Sequence, residues 1–340
     1  MKRWLLIGIL FLGMLPAAAQ EADLDVTEII YEHTGDAYSW HILSWGDKEI
    51  SLPLPVIVRG AAGEWHCFLS SALPCEGFAI APEGEAYAGK VVELTPDGPV
   101  RPFDLSITRN VLSLLMSSAL LVVLILLCAR WYRRHDALSE APSGLAALLE
   151  PVIVMVEDEV IKEAVGPDYK RYSPYLLTAF FFILLNNLLG ILPFFPGGAN
   201  VTGNIAVTMV LALCTFVATN LFGNRHYWKD VLWPDVPVFL KAPLPLMPLI
   251  ELVGLFTKPF SLMIRLFANI FAGHAMLIGL LCVIFVTAQM GPVINGSMMA
   301  VSVLLGVFMD CLEVLVAFIQ AYVFTMLSAV FIGASRQTNH

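Results

Sequence analysis

Charge is what this sequence has little of. Only 14% of its 340 residues are Asp, Glu, Lys or Arg, against about a quarter in an ordinary soluble domain. With 58% apolar residues and a mean hydropathy of +0.77, that scarcity excludes a disordered chain and a cytosolic enzyme of usual composition. Basic residues are scarcer than acidic ones, 19 against 28, and form no stripe, which argues against nucleic acid as a partner. No G-x-x-x-x-G-K-[ST] run is present, so no phosphate-cradling loop is expected. Six cysteines are too few for a disulfide-knotted peptide and have no metal-ligand spacing. His33, His41 and His66 fit no zinc pattern either, so neither metal nor cofactor is expected.

What is there is an integral membrane protein with its charge unevenly placed. Residues 20–108 hold 15 Asp/Glu against 4 Lys/Arg, a net of −11, and everything else sums to +2. Residues 1–19 read as a signal peptide: Lys2 and Arg3, the apolar run Trp4–Leu15, then Ala17-Ala18-Ala19. An uncleaved anchor is the alternative, although twelve apolar residues are short for a bilayer core of about 30 Å. Cleavage leaves 20–108 as an acidic extracytoplasmic domain in an oxidising compartment, where Cys67 and Cys75 can form a disulfide. Its β-type runs are Tyr38–Trp45, Glu49–Val58, Trp65–Leu73 and Lys90–Leu94.

Residues 109–130 predict a first transmembrane helix, closed by Arg130, Arg133 and Arg134. Residues 142–166 alternate apolar positions (Leu148, Val152, Val156, Val160) with Glu150, Glu157, Asp158 and Glu163, as an amphipathic surface helix does. No side chain from Ser173 to Asn224 is charged. Pro193–Asn200 divides that stretch into spans near 174–194 and 203–223. The apolar stretches 243–290 and 297–334 exceed the roughly 20 residues of a perpendicular span, so strong tilt or kinking is expected. The first of them is followed by Met290-Gly291-Pro292, and a turn is expected around Asn295. The fold class is therefore an all-α multi-span membrane protein with a small β-rich extracytoplasmic N-terminal domain. About five transmembrane helices are expected, the last two long and tilted. With the mature N-terminus outside and the C-terminus cytoplasmic, every basic cluster falls on one side.

Ionisable side chains at mid-bilayer cost about 2.5–3.5 kcal/mol on insertion scales, yet Glu251, Lys258, Arg265, His274, Asp310 and Glu313 occupy the last two apolar stretches. Glu251, Lys258 and Arg265 are seven apart and Asn269 four further on, so all four share one helical stripe. Glu313 and Gln320 share a face of the last helix, with Asp310 a neighbour on roughly the same side. Glu251 and Lys258 also suit snorkelling near an interface. A structural salt bridge is the alternative for the rest. It suits Arg265 least, since its flanks are apolar and no charge follows until Asp310.

At these residues the sequence resembles subunit a of F-type ATP synthases. The resemblance rests on Lys258-Pro259-Phe260-Ser261, Arg265-Leu266-Phe267-Ala268-Asn269 and Ala272-Gly273-His274, then on Ala317–Phe324, with Phe181–Leu188 up to Pro193 similar to the family's second span. It covers about residues 105–335, with the proton-channel helices at 173–335. It implies a channel subunit with no nucleotide site of its own, forming two offset half-channels against a rotating c-ring. Its other implied partners are peripheral-stalk subunits, protons and membrane lipid, in a bacterial inner membrane. Arg265 takes the place of the family's obligatory arginine, as barrier and ring-carboxylate partner. His274, Glu313, Gln320, Asn269, Glu251 and Asp310 are the proton-path candidates. His274 and Glu313 stand in the reverse of the order some members use, and reversed pairs also occur. An ion-coupled secondary transporter is the rival reading, but no internal repeat supports it.

Overall fold

A computed structural model describes residues 35–45, 48–61, 63–82, 87–95, 98–135, 140–192, 197–232 and 246–336. The expected signal peptide and His33 lie outside the described residues. Of these residues, Ala37–Ser106 with Ala275–Met309 form one compact unit, and 35–36, Ile107–His274 and 310–336 another.

The first unit contains eight strands: β1 (Ser39–Trp45), β2 (Lys48–Pro53), β3 (Pro55–Arg59), β4 (Trp65–Leu69), β5 (Phe78–Ile80), β6 (Val91–Thr95), β7 (Gly98–Val100) and β8 (Phe103–Asp104). They make an antiparallel β1–β2 pair and two three-stranded antiparallel sheets, β4-β3-β8 and β5-β6-β7. Val56 and Val58, two apart on β3, point with Tyr38, Leu73, Phe78 and Val91 into a small core. The run Glu49–Val58 is two strands, because the chain breaks at Leu54 between two prolines. The run Trp65–Leu73 leaves the sheet at Ser70 for a 3₁₀ turn, Ser70–Glu76. Cys67 on β4 is a free, exposed thiol, and the side chain of its expected partner Cys75 lies outside the described residues.

Asp104 turns inward on β8, accepting from the Tyr38 hydroxyl and the Ser106 amide. Burial pulls its pKa upward, but hydrogen bonds from Ser106 and Tyr38, with Lys90 nearby, outweigh that and hold it below the ordinary 3.8. A carboxyl lowered on folding stabilises the fold above its unfolded pKa and stops doing so as pH falls through the folded one. Trp fluorescence of the full chain is thus expected to change as pH falls from about 5 to 3, and Asp104→Asn to flatten that change.

The second unit is helical. Its elements are α1 (Arg109–Arg134), α2 (Leu145–Met155), α3 (Tyr169–Ile191), α4 (Ile205–Leu221), α5 (Arg225–Leu232), and parts of α6 (Leu246–Thr287) and α7 (Pro292–Arg336). Among the described residues four helical stretches are long and apolar enough to cross a membrane: α1, Leu145–Ile191, Met247–Thr287 and α7. The apolar α4 is shorter, at 17 residues. Gly291, in the left-handed region at φ 102°, makes the turn, and Pro292 opens α7. The turn therefore precedes Asn295, which lies inside the helix.

The helices are built inside-out relative to a soluble bundle. α1 buries Asn110, Ser113 and Ser117 on one stripe while Leu115, Val122, Leu126 and Leu127 stay exposed. α4 buries Thr208, Ala212, Thr215 and Thr219 and exposes Met209, Val210, Leu213 and Val217. Small and hydroxylated residues let helices approach and bond where lipid supplies no hydrophobic drive between them. Thr215 shows this, meeting Tyr175 at 2.9 Å and Ser328 at 3.1 Å.

In the segment expected to be amphipathic, the buried seam differs from the alternation in the sequence. A π-helical turn, Val156–Lys162, follows α2 and shifts the register, so Val156, Val160, Ile161 and Val165 are buried together while Leu148 is exposed. This face packs with Leu176, Phe180 and Ile183 of α3, Leu262 and Leu266 of α6, and Phe324 and Ile332 of α7. Arg336 closes α7 by donating to Asp168 at 2.6 Å and to the Phe222 carbonyl at 3.1 Å.

Candidate functional site

Helices α6 and α7 run antiparallel on either side of the Gly291 turn, so residues far apart in sequence meet in pairs. Asn269 donates to Gln320 Oε1 at 2.9 Å. One and a half turns further along α6, His274 Nδ1 lies 3.2 Å from Glu313 Oε1. Toward the other end, the Lys258 ammonium sits 5.8 Å from the Phe331 ring centroid.

The His274–Glu313 pair is the most unusual feature of the unit. Glu313 is 7% exposed, and His274 is also largely covered, at 16%. The short His274–Glu313 separation lacks hydrogen-bond alignment, and both Glu313 carboxyl oxygens are without a donor among the described residues. A buried carboxylate is disfavoured without a partner, and the His274 imidazole at 3.2 Å is the polar side chain placed against it.

Two glycines make room for the pair. A Cβ at Gly273 would lie 2.6 Å from Glu313 Oε1, and one at Gly190 on α3 would lie 3.6 Å from His274 Nε2. Glu313 therefore occupies space that any side chain at 273 would take.

The stripe expected on α6 is present. Lys258, Arg265 and Asn269 are exposed and Glu251 is half-buried, along the border of the buried face of Leu262, Leu266 and Ile270. Arg265 has no hydrogen bond or ion pair among the described residues, and exposed Phe260 and Ile264 flank it. A cation in an apolar face without a counter-charge is expensive in lipid.

Glu251 faces a second polar group. Burial first, then the Glu251 carboxylate, raise the Tyr227 phenol above its usual pKa, and the Tyr227 hydroxyl donates to Asn220 at 2.9 Å. Thr219, Asn220, Tyr227 and Lys258 help line a recess of about 20 Å³, room for about one water molecule.

Asp310 is exposed while Glu313, three residues on and about 60° round α7, is buried, and the two carboxyls lie close enough to interact electrostatically.

Asn186 and Asn187, which the sequence did not mark as site residues, are buried side by side on α3. Asn186 Oδ1 accepts from Ser117 of α1 at 2.8 Å. Asn187 Oδ1 accepts from Thr202 at 2.7 Å, and its amide donates to the Ala317 carbonyl of α7 at 3.4 Å. Adjacent asparagines within an otherwise apolar span were the available signal, since each demands partners when buried.

Residues 114–333 match the family model described as ATP synthase A chain, and residues 29–105 match one described as a domain of unknown function (DUF8433). The chain is 40% identical over 256 residues to ATP synthase subunit a 2 of Prosthecochloris aestuarii, covering 75% of this chain and 74% of that protein. It is 39% identical over 300 residues to ATP synthase subunit a of Myxococcus xanthus, covering 86% and 90%. The corresponding figures for ATP synthase subunit a of Chlorobium phaeobacteroides (strain DSM 266) are 38% over 269 residues, 77% and 73%.

Proposed function

The chain belongs to the ATP synthase A chain family, and from that premise we propose how its residues carry protons through the membrane sector. As a member it is a membrane-embedded, non-catalytic subunit that translocates protons in the F0 sector. The finer reading is two half-channels offset on either side of Arg265, facing a rotating c-ring, with peripheral-stalk subunits as further partners.

The observation that carries this reading is the buried His274–Glu313 pair. His274 and Glu313 form the outer half-channel, the imidazole and carboxyl exchanging a proton with water from outside. Asn269 and Gln320 hold the waters that take it on toward the ring. Arg265 lies nine residues from His274, about 13 Å along the helix. It stays protonated, attracts the ionised ring carboxylate and blocks leakage between the half-channels. Glu251 and the recess at Tyr227 begin the inner half-channel. Asp310, exposed one turn from Glu313, collects protons at its entrance.

The five spans are α1, α3, α4, α6 and α7, with α2 on the cytoplasmic surface. The mature N-terminus is outside and the C-terminus inside a bacterial inner membrane. Support comes from the placement of Arg130, Arg133, Arg134, Lys170, Arg171, Arg225, Lys229 and Arg336 on one side in that topology.

The test is proton uptake by liposomes carrying the reconstituted membrane sector under an imposed potential. Each charge crossing 100 mV gains about 2.3 kcal/mol. Uptake is expected with this chain and not without it. Gly273→Ala is expected to lower it at least tenfold with assembly intact, since the added methyl only displaces the flexible end of Glu313. Adding Glu313→Asp, one methylene shorter, is expected to recover part of the flux. Unchanged flux in Gly273→Ala would remove the pair from the path.

A further inference from the structure

The sheet β4-β3-β8 in the first unit has the wrong side facing out for a sheet in water. On β4, Trp65, Cys67 and Leu69 are exposed while His66 and Phe68 are half-buried. Along 101–106 the alternation is inverted: Arg101, Phe103 and Leu105 point out, whereas Pro102, Asp104 and Ser106 point in. The inward polar groups are satisfied, Asp104 by Tyr38 and Ser106 by donating partners that include the Ile57 amide at 3.0 Å. A sheet with one face on the core ordinarily turns its polar residues to solvent. Here apolar side chains remain outside at 56% exposure for Trp65 and 62% for Phe103.

Register gathers them into one patch. Paired residues of antiparallel strands share a face, and the pairs are Trp65 with Arg59, Arg59 with Phe103, and Cys67 with Ile57. Leu105 donates its amide to the Ile57 carbonyl, and the Trp65 and Phe103 rings meet edge to face at 6.3 Å. Arg59 and Arg101, two of only four basic residues in 20–108, border the same surface.

The chain also dictates what lies nearby. Leu105 is four residues before Arg109, where the membrane-length helix α1 starts, a chain length of at most about 14 Å. Upstream of β1, the Gly35 carbonyl accepts from Arg109 and the Asp36 carboxylate accepts from the Asn110 amide. Both connections to the sheets therefore run to the first turn of α1.

We propose that the outer face of β4-β3-β8 is a membrane-interface anchor that beds Trp65, Phe103 and Leu105 into the lipid headgroup boundary, with Arg59 and Arg101 reaching phosphate. Trp at the headgroup level buries its ring and keeps its N–H wet, and arginine stems lie along apolar surface while the heads stay in water. The continuity of the face with the start of α1 favours lipid over a second copy or a partner subunit.

The test uses the assembled synthase in nanodiscs of phosphatidylcholine and phosphatidylglycerol, with acyl chains brominated near the headgroup. The chain has seven tryptophans, so the Trp65 signal is taken as the difference between wild type and Trp65→Tyr. Brominated lipid is expected to cut that signal at least twofold, and aqueous iodide to leave it nearly unchanged. A second reading needs no change to the ring: the Cys67 thiol is expected to react at least tenfold faster with a lipid-soluble maleimide than with a charged one, Cys67→Ser giving the background. Quenching by iodide alone, or equal maleimide rates, overturns the anchor. Exclusion of both quenchers assigns the face to a protein partner and equally overturns it.

Discussion

Replacing Arg265 with alanine is expected to abolish ATP-driven proton pumping while the complex still assembles. In inverted membrane vesicles, acidification should fall by two orders of magnitude or more. Passive proton leak after removal of the soluble catalytic head should rise. The reasoning begins with cost. A cation within the bilayer is unfavourable by about 2.5–3.5 kcal/mol on insertion scales, and here no side chain among the described residues offsets it. Structural use is thereby weakened, because a structural arginine would be paired within the chain, as Arg336 is with Asp168. Its exposure beside Phe260 and Ile264 suits a surface that a carboxylate on another subunit passes. Arginine does not deprotonate in proteins, so it can discharge that carboxylate electrostatically without offering a proton. Arg265→Lys is expected to fail nearly as badly, since an ammonium desolvated in an apolar face lowers its pKa and can conduct. Normal pumping in either variant would remove Arg265 from the mechanism.

The same cost explains what was legible in the sequence. An ionisable residue in an apolar stretch stands out without any structure, and seven- and four-residue spacings alone put Glu251, Lys258, Arg265 and Asn269 on one stripe. Helix ends were legible for the same reason, being fixed by basic clusters and glycine turns. Less visible were features that depend on contact. The π turn at Val156–Lys162 shifts a seam by one residue, which no alternation pattern announces. Asp310 and Glu313, three apart, differ in burial because the neighbouring helix lies on one side only. Strands β5, β7 and β8 are two or three residues long, too short for periodicity to register. Asn186 and Asn187 carry no charge, so their network emerges only when Ser117, Thr202 and the Ala317 carbonyl are brought to them. The small glycines behave likewise: Gly273 is one apolar-span glycine among several until Glu313 is found lying over it.

Exchanging the two members of the buried pair gives the other large effect. His274→Glu and Glu313→His, made singly, are each expected to reduce pumping at least tenfold. The first leaves two carboxyls together and the second two imidazoles, and like groups in a covered site cannot both ionise. Removing one partner of a buried pair typically costs about 3–5 kcal/mol, whereas replacing both often costs little. The double exchange, His274→Glu with Glu313→His, restores one acid and one imidazole at the 3.2 Å approach. Gly273 leaves space for the larger ring on α7, and Gly190 faces the shorter carboxyl on α6. At least a third of wild-type acidification is therefore expected to return. Such recovery requires that the pair act together on a proton, whichever helix carries the acid. A packing role predicts a different order of severity, because the double variant would then combine two misfits and pump no better than the worse single. Measuring all three in the same vesicles, with assembly checked by ring content, separates the two, and a double variant as inactive as the singles would mean that His274 and Glu313 do not relay a proton between them.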